Sequence, residues 1–112
     1  MSVTIYHNPK CSKSRQTLSI LRENGIEPNI IEYLNLTINA SELKGIIMKL
    51  GVTPRDLVRS KEAKEEGIDE SLTGDDMISA ILAHPRIMQR PIVINGDKAV
   101  IGRPPENIFK IL

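Results

Sequence analysis

Cysteine is almost absent from this 112-residue sequence, in which Cys11 is the single example. A lone thiol has no internal partner, so an intramolecular disulfide is excluded. Metal ligands are scarce too, because Cys11, His7 and His84 make a poor ligand set for zinc. We therefore expect no bound metal and no other resident cofactor.

Aromatic residues and net charge are also too low to indicate a nucleic-acid-binding protein. Tryptophan is absent, and the aromatic residues are Tyr6, Tyr33 and Phe109, which offer no platform for stacking bases. The formal net charge of +1 gives no bulk attraction to a phosphate backbone. We expect no nucleic-acid partner.

Long apolar runs are missing as well. No hydrophobic stretch approaches membrane-spanning length, so we expect no membrane association. The chain starts directly with a strand-like segment and shows no signal-peptide pattern, which makes the cytoplasm the expected location. There a lone cysteine stays reduced. With 40% apolar and 26% charged residues, we assign residues 1–112 to a single globular domain and expect a monomer.

The single cysteine lies in a polar, basic segment, residues 7–15, between a predicted strand and a predicted helix. Val3–Tyr6 predicts the strand, and the helix is predicted from Ser12 to about Asn24. A thiol at that junction meets the free N–H groups and the positive end of the helix, and both favour the nucleophilic thiolate. Three cations flank the cysteine: Lys10, Lys13 and Arg15. The segment predicts a reactive cysteine in a pocket that holds an oxyanion.

The first half of the chain predicts a βαβ unit followed by a helix. A second strand is predicted at Ile30–Tyr33, and it should be parallel to the first. A capping box at Asn39–Glu42 starts the next helix, which ends at Gly51. Its apolar residues recur at i, i+3, i+4 and i+7, which is the cleanest helical pattern in the chain: Leu43, Ile46, Ile47 and Leu50.

A helical insertion is predicted over about residues 39–88. After the helix that ends at Gly51, a short helix runs from Thr53 to Val58, and Lys61–Glu66 forms a charged, salt-bridged turn. A further helix is capped at Thr73 and stopped by Pro85. No strand pattern is visible between Thr53 and Pro85.

The last third of the sequence predicts a hairpin and a helix. Pro91–Ile94 and Ala99–Ile101 flank Asn95-Gly96, two residues that tolerate the positive φ of a tight turn. A helix is predicted to start at Arg103-Pro104-Pro105, because proline fits the first helical turn. Its predicted inward residues are Ile108, Ile111 and Leu112.

The predicted order of elements is that of an α/β, thioredoxin-like fold with a helical insertion. A parallel pair from the first half and a hairpin from the second give a four-stranded mixed sheet. In this fold the strand after the insertion begins with a cis-proline, and Pro91 occupies that position. We predict that the Arg90–Pro91 bond is cis, although cis bonds make up only ~5% of X-Pro bonds.

Three motifs resemble one known family. They are Tyr6–Arg15, Arg90-Pro91-Ile92 and Ile101–Glu106, and Leu57–Arg59 with the charged turn after it matches the insertion. By these motifs the chain is identified as a member of the glutaredoxin-coupled arsenate reductase family, which also includes the Spx-type regulators. It is shorter than the best-known reductases and has Lys10, Ser12 and Lys13 where they have small residues, so it resembles the short subgroup.

The resemblance implies a role for each motif residue. Cys11 would be the nucleophile that attacks the arsenic of arsenate, and His7 would lie near the thiol and help set its pKa. The implied substrate-binding residues are Ser14, Arg15, Arg59, Arg90 and Arg103, and the implied supporting residues are His7, Asn8 and Pro91. Glutathione is implied as the co-substrate that completes the arsenic adduct. Reduction would give arsenite and a mixed disulfide on Cys11, which glutaredoxin, the implied partner, would resolve.

The chemistry of these residue types agrees with such a role. Guanidinium forks match tetrahedral oxyanions, and without positive charge an anionic thiolate would repel its substrate. Ser14 stands where a dithiol oxidoreductase has its second cysteine, so an external thiol must regenerate Cys11.

Alternative functions stay open. One is a Spx-type regulator that binds RNA polymerase, although Ser14 removes the Cys-x-x-Cys switch. Another is a thiol oxidoreductase that acts on a different substrate. A phosphatase-like thiol enzyme is a third, but the sequence identifies no general-acid aspartate for it.

Overall fold

The structure is a computed structural model that describes residues 2–35 and 38–112. Within this range the chain forms two compact units. Residues 2–35 and 90–112 make the first, which we call the sheet unit, and residues 38–89 make the second, which we call the helical unit. None of the helices in the described part of the chain is long and apolar enough to cross a membrane.

The sheet unit contains a four-stranded mixed sheet. Its elements are β1 (Val3–Tyr6), α1 (Ser12–Glu23), β2 (Asn29–Ile31), β3 (Ile92–Asn95) and β4 (Lys98–Ile101). The strand order is β2-β1-β3-β4, with β1 parallel to β2 and antiparallel to β3, and β3 antiparallel to β4. The predicted mixed sheet is confirmed, and so is the cis Arg90–Pro91 bond.

The core of the sheet unit lies between the sheet, α1 and the C-terminal segment. Its buried apolar residues are Val3, Ile5, Leu21, Val93, Ile108 and Ile111. The buried stripe of α1 runs through Ser14, Thr17 and Leu21, at i, i+3 and i+7. Two of these three residues are polar, so the buried face of α1 is not the one that its apolar residues alone would indicate. This packing fixes α1 and with it the cysteine at its N-terminus.

The β-hairpin differs from the prediction by one residue. Asn95 is the last residue of β3 and pairs with Lys98, so the turn is Gly96-Asp97, with Gly96 at φ +65°. The Asn95 side chain is buried and donates to the carbonyl oxygen of Ile111 at 2.7 Å. This tertiary hydrogen bond keeps Asn95 in the strand. The predicted strand Ile30–Tyr33 is likewise shifted, because β2 ends at Ile31.

The C-terminal segment is a 3₁₀ helix, Pro105–Lys110, rather than an α-helix. Three residues per turn bring Pro105, Ile108 and Ile111 onto one face, and all three are buried. Leu112 falls one position off that face and is 46% exposed, so its predicted inward position was wrong. The Arg103–Pro104 bond before this helix is also cis.

The helical unit contains α2 (Ala40–Leu50), α3 (Ser60–Glu65), α4 (Gly74–Ala83) and two short 3₁₀ helices, Pro54–Leu57 and Pro85–Ile87. The side chain of Asn39 accepts the Glu42 N–H, and Thr53 forms a full capping box with Asp56. The buried apolar residues of this unit include Leu43, Ile46, Ile47, Leu57, Met77, Ile78, Ile81, Ile87 and Met88. Within the charged turn predicted at Lys61–Glu66, Glu62 is buried, with only 5% of its surface exposed.

The core of the sheet unit can be tested by truncating Leu21, which is fully buried. We expect Leu21→Ala to lower the free energy of unfolding by about 2–5 kcal/mol, since it removes apolar contacts and leaves a cavity. Met48→Ala is the control, because Met48 is 81% exposed and its loss should cost less than about 0.5 kcal/mol. Urea unfolding followed by circular dichroism measures both values. Equal unfolding midpoints for the two variants would contradict this account of the core.

Candidate active site

The Cys11 loop is closed by hydrogen bonds among its own residues. The Asn8 carbonyl oxygen accepts the Cys11 N–H at 3.0 Å, and Asn8 Oδ1 accepts the Lys10 N–H at 3.0 Å. The second bond makes an Asx turn, which is how asparagine favours a tight loop. Cys11 is the N-cap of α1, and its carbonyl oxygen accepts the Arg15 N–H at 3.0 Å. The sulfur is therefore held where the first N–H groups of the helix lack partners within the helix.

Ser14 lies fully buried under this loop. Its Oγ accepts the Asn8 N–H at 3.0 Å and lies 2.6 Å from His7 Nδ1. The side chains of His7 and Asn8 are also buried. The hydroxyl of Ser14 thus holds the loop together from inside, while its backbone N–H donates to the Cys11 sulfur.

The protonation of His7 follows from its surroundings. Burial lowers the pKa of His7, the charges of Arg22 and Arg15 lower it further, and Glu32 opposes them. The ring is therefore neutral at pH 7. The contact between Ser14 Oγ and His7 Nδ1 is a hydrogen bond whose direction depends on the tautomer of the ring. His7 supports Ser14, and its predicted direct effect on the thiol stays a prediction.

The Cys11 thiol is free and partly exposed. Burial acts to raise the pKa of Cys11, but hydrogen bonds from the Ser14 N–H, the Arg90 side chain and the Lys13 N–H, together with the Arg90 charge, lower it by more. The net pKa lies below the ordinary value of a thiol. A larger share of Cys11 is therefore thiolate, the nucleophilic form, at neutral pH.

Arg90 and Arg103 are the two guanidiniums at the thiol. Arg103 Nη1 lies 3.9 Å from Cys11 Sγ and donates to the Arg90 carbonyl oxygen at 3.4 Å. The contact to sulfur is long, so Arg90, which lowers the pKa of Cys11, has the stronger effect on the thiol itself. Both side chains are half-buried, which reduces the screening of their charge by water. Together they put positive charge beside a partly exposed sulfur.

Two further predicted residues support the site from the side. Arg15 is exposed, and its Nη1 donates to the Pro9 carbonyl oxygen at 2.9 Å, which braces the loop. Pro91 is buried directly before β3 and follows Arg90 in the chain.

Arg59 belongs to the helical unit. Its N–H donates to the Ile87 carbonyl oxygen at 2.7 Å, and its guanidinium forms an ion pair with Glu62. The charge pattern of Lys61–Glu66 did not indicate that Glu62 is the residue that pairs with Arg59. The part of Arg59 in oxyanion binding stays a prediction.

Some residues that shape the site were missed at the sequence level. Lys13 contributes its backbone N–H to the sulfur, which no side-chain pattern could indicate. Thr17 and Gly102 are both buried and contact each other between α1 and the segment before Arg103. The available signal was the polar stripe Ser14–Thr17 on the inward face of α1. No group of three or more His, Cys, Asp or Glu residues in the described ranges is arranged to hold a metal ion.

Comparison with known proteins gives consistent matches over the whole chain. A family model described as the ArsC family matches residues 6–111. An arsenate reductase of Haemophilus influenzae is 47% identical over 116 residues, covering 100% of both chains. An arsenate reductase of Escherichia coli K12 is 37% identical over 114 residues, which span 99% of this chain and 81% of that protein. The solved arsenate reductase from Vibrio cholerae is 42% identical, with a TM-score of 0.89, covering 100% of this chain and 98% of the other.

The names of the relatives support an oxidoreductase, and a cysteine of lowered pKa on a thioredoxin-like sheet is compatible with that class. The chain belongs to the ArsC family. The predicted family and the predicted thioredoxin-like fold are therefore confirmed.

The effect of Arg90 on the thiol can be measured by alkylation. Arg90→Ala removes a hydrogen bond and a positive charge that lower the pKa of Cys11, so the pKa should rise. The rate of iodoacetamide alkylation against pH should then reach its midpoint at a higher pH than in the wild type. Lys98→Ala also removes a positive charge, but Lys98 pairs with Asn95 opposite Val3, at the far end of β1 from the loop. A profile for Arg90→Ala that coincides with that of Lys98→Ala would contradict the assignment.

Proposed function

We propose that this protein reduces arsenate to arsenite through Cys11, with glutathione as co-substrate and glutaredoxin as partner. The observation that carries the proposal is the low-pKa thiol of Cys11 beside Arg90 and Arg103. The relatives named arsenate reductase support arsenate as the substrate. The proposed reaction needs no permanently bound cofactor, because glutathione and glutaredoxin each bind only transiently.

The cationic surroundings of Cys11 suit a negatively charged substrate. Arsenate carries one to two negative charges at neutral pH, and a bare thiolate would repel it. Arg90 and Arg103 offset the negative charge of the sulfur, and their forked N–H groups can donate in pairs to arsenate oxygens. The N–H groups of Lys13 and Ser14 at the start of α1 donate to the sulfur and so add to the positive surroundings that offset its charge.

The first chemical step is attack by the Cys11 thiolate on arsenic. A sulfur–arsenic bond forms, and the bond from arsenic to one arsenate hydroxyl breaks as that hydroxyl takes up a proton from solvent and leaves as water. The attack needs the thiolate, whose share is raised by the lowered pKa of Cys11. Guanidinium groups beside the sulfur stabilise the charge on the arsenate oxygens throughout the step.

Reduction then requires a second thiol from outside the chain, because Cys11 is the sole cysteine of the sequence. The glutathione thiol adds to arsenic, and its proton leaves with a second arsenate hydroxyl as water, so arsenic carries both sulfurs. The two sulfurs then join as a mixed disulfide and both sulfur–arsenic bonds break. One electron pair of these bonds stays on arsenic, which takes up water and leaves as arsenite. Glutaredoxin reduces the mixed disulfide and restores the Cys11 thiol.

A coupled turnover assay tests the function. With arsenate, glutathione and glutaredoxin present, the wild type should release arsenite, and Cys11→Ser should reduce release to the uncatalysed background because a serine hydroxyl is not ionised at neutral pH. Ser19→Ala is the control, since Ser19 is exposed on the same helix, and it should keep wild-type activity. Arsenite release that persists in Cys11→Ser, or that never exceeds background in the wild type, would refute the proposal.

The arginines can be tested through substrate affinity. A hydrogen bond to a charged group contributes about 1.5–3 kcal/mol, so Arg90→Ala and Arg103→Ala should each raise the KM for arsenate by roughly 10- to 100-fold. The family resemblance implies that Arg59 also binds the oxyanion, so Arg59→Ala should act in the same direction. Arg86→Ala is the control, because exposed Arg86 pairs with Glu65 and should leave KM unchanged. An arginine whose removal leaves KM at the wild-type value does not bind the substrate.

A further inference from the structure

Gly102 lies where three chain segments pack closely against one another. These are α1, the segment Arg90-Pro91 and the segment 101–103. Gly102 is buried, follows β4 and directly precedes Arg103. A Cβ atom added to Gly102 would lie 2.8 Å from Thr17 Oγ1, 3.2 Å from Thr17 Cγ2 and 2.9 Å from Pro91 Cγ. No side chain larger than a hydrogen fits there without moving a neighbour. The φ angle of Gly102 is not in the left-handed region, so the constraint is space and not backbone freedom.

Gly102 is hydrogen-bonded to one of these neighbours and packs against the other. Its N–H donates to the Pro91 carbonyl oxygen at 2.8 Å, and its carbonyl oxygen lies 3.4 Å from Thr17 Oγ1. The Thr17 hydroxyl has one proton, which it donates to the Lys13 carbonyl oxygen at 2.8 Å, so α1 sets its position and its approach to Gly102 is a packing contact. Thr17 is fully buried and therefore cannot turn away into solvent.

The backbone on either side of Gly102 is also fastened. Asn107 Nδ2 donates to the carbonyl oxygens of Ile101 and Arg103, at 3.1 and 3.2 Å. The segment 101–103 thus has hydrogen bonds at each of its three residues. The Arg103 side chain that leaves this segment reaches Cys11 Sγ.

Each neighbour of Gly102 belongs to a segment that carries one site residue. Thr17 lies on α1, which begins after Cys11, and Pro91 follows Arg90. We propose that Gly102 and Thr17 are positioning residues for this site, and that their contact sets the distance between the Arg103 guanidinium and the Cys11 sulfur. A displacement of Gly102 moves the backbone of Arg103 and takes its charge away from the thiol.

The experiment compares the rates at which Cys11 is alkylated by iodoacetate, an anion, and by iodoacetamide, its neutral analogue. The ratio of the two rate constants reports the positive charge over the sulfur, and it needs no arsenate. The inference rests on the proposed function only for the use of Arg103 in oxyanion binding, so a chain without arsenate turnover would still give this ratio. Gly102→Ala and Arg103→Ala should each lower the ratio by about three- to tenfold, as expected when one nearby charge is withdrawn.

The double variant distinguishes an effect of Gly102 that acts through Arg103 from a general disturbance of the structure around Cys11. If Gly102 acts through Arg103, adding Gly102→Ala to Arg103→Ala should leave the ratio unchanged. Gly45→Ala is the matched control, because Gly45 has open space around its Cα and its substitution should not affect the ratio. A Gly102→Ala protein that unfolds cooperatively and keeps the wild-type ratio would overturn the proposal. An equal fall in the ratio with and without Arg103 would overturn it too.

Thr17 gives an independent test should Gly102→Ala fail to fold. Thr17→Val keeps the shape of the side chain and removes the hydroxyl, so the ratio should fall in the same direction as in Gly102→Ala. Thr17→Ser keeps the hydroxyl, and its ratio should return most of the way to the wild-type value. Equal ratios for the valine and serine variants would show that the hydroxyl does not position Arg103, and would refute the role of Thr17.

Discussion

The competition between burial and positive charge at the Cys11 sulfur is the constraint on which the rest of the site depends. Burial disfavours the thiolate, and it would leave an inert thiol if nothing opposed it. The opposing groups are two backbone N–H groups of the first turn of α1 and the Arg90 guanidinium, and they prevail. These donors come from separate parts of the chain, so the loop, the helix and the segment before β3 must be held in fixed positions relative to one another. The sheet fixes them, because β1 ends at the loop and pairs with β3, which starts just after Pro91.

The buried polar residues of α1 show how these segments are held in place. Ser14 and Thr17 occupy positions that a simple amphipathic helix would fill with apolar residues. Each is fully buried, and each meets a different segment: Ser14 bonds His7 and Asn8, while Thr17 contacts Gly102. A buried hydroxyl without a partner would be costly, and Thr17 satisfies its own through the Lys13 carbonyl oxygen. One face of one helix thereby connects the loop to the segment after β4 that carries Arg103.

Local patterns were sufficient to predict much of this arrangement from the sequence. A single cysteine between a strand and a helix indicated the reactive loop, and the order of elements indicated the mixed sheet and the cis bond before Pro91. The hairpin turn was misplaced because Asn95-Gly96 fits a turn locally, and its displacement depends on a hydrogen bond to Ile111. Thr17 and Gly102 are 85 positions apart in the chain, so no local sequence pattern predicts their contact. The ion pair of Arg59 with Glu62 is local, but a run of charged residues does not tell which carboxylate is buried, so the sequence did not indicate it either.

The buried hydroxyl of Ser14 also limits how the site could change. A second thiol two residues after Ser12 would replace this hydroxyl, which accepts the Asn8 N–H and contacts His7 Nδ1. Sulfur is larger and a weaker hydrogen-bonding partner, so the loop around Cys11 would lose the bonds that shape it. Replacing Ser14 with cysteine would therefore alter the loop as well as add a thiol. Under the proposed function, thiols from outside the chain set the pace of the redox cycle, because Cys11 is the sole cysteine of the sequence.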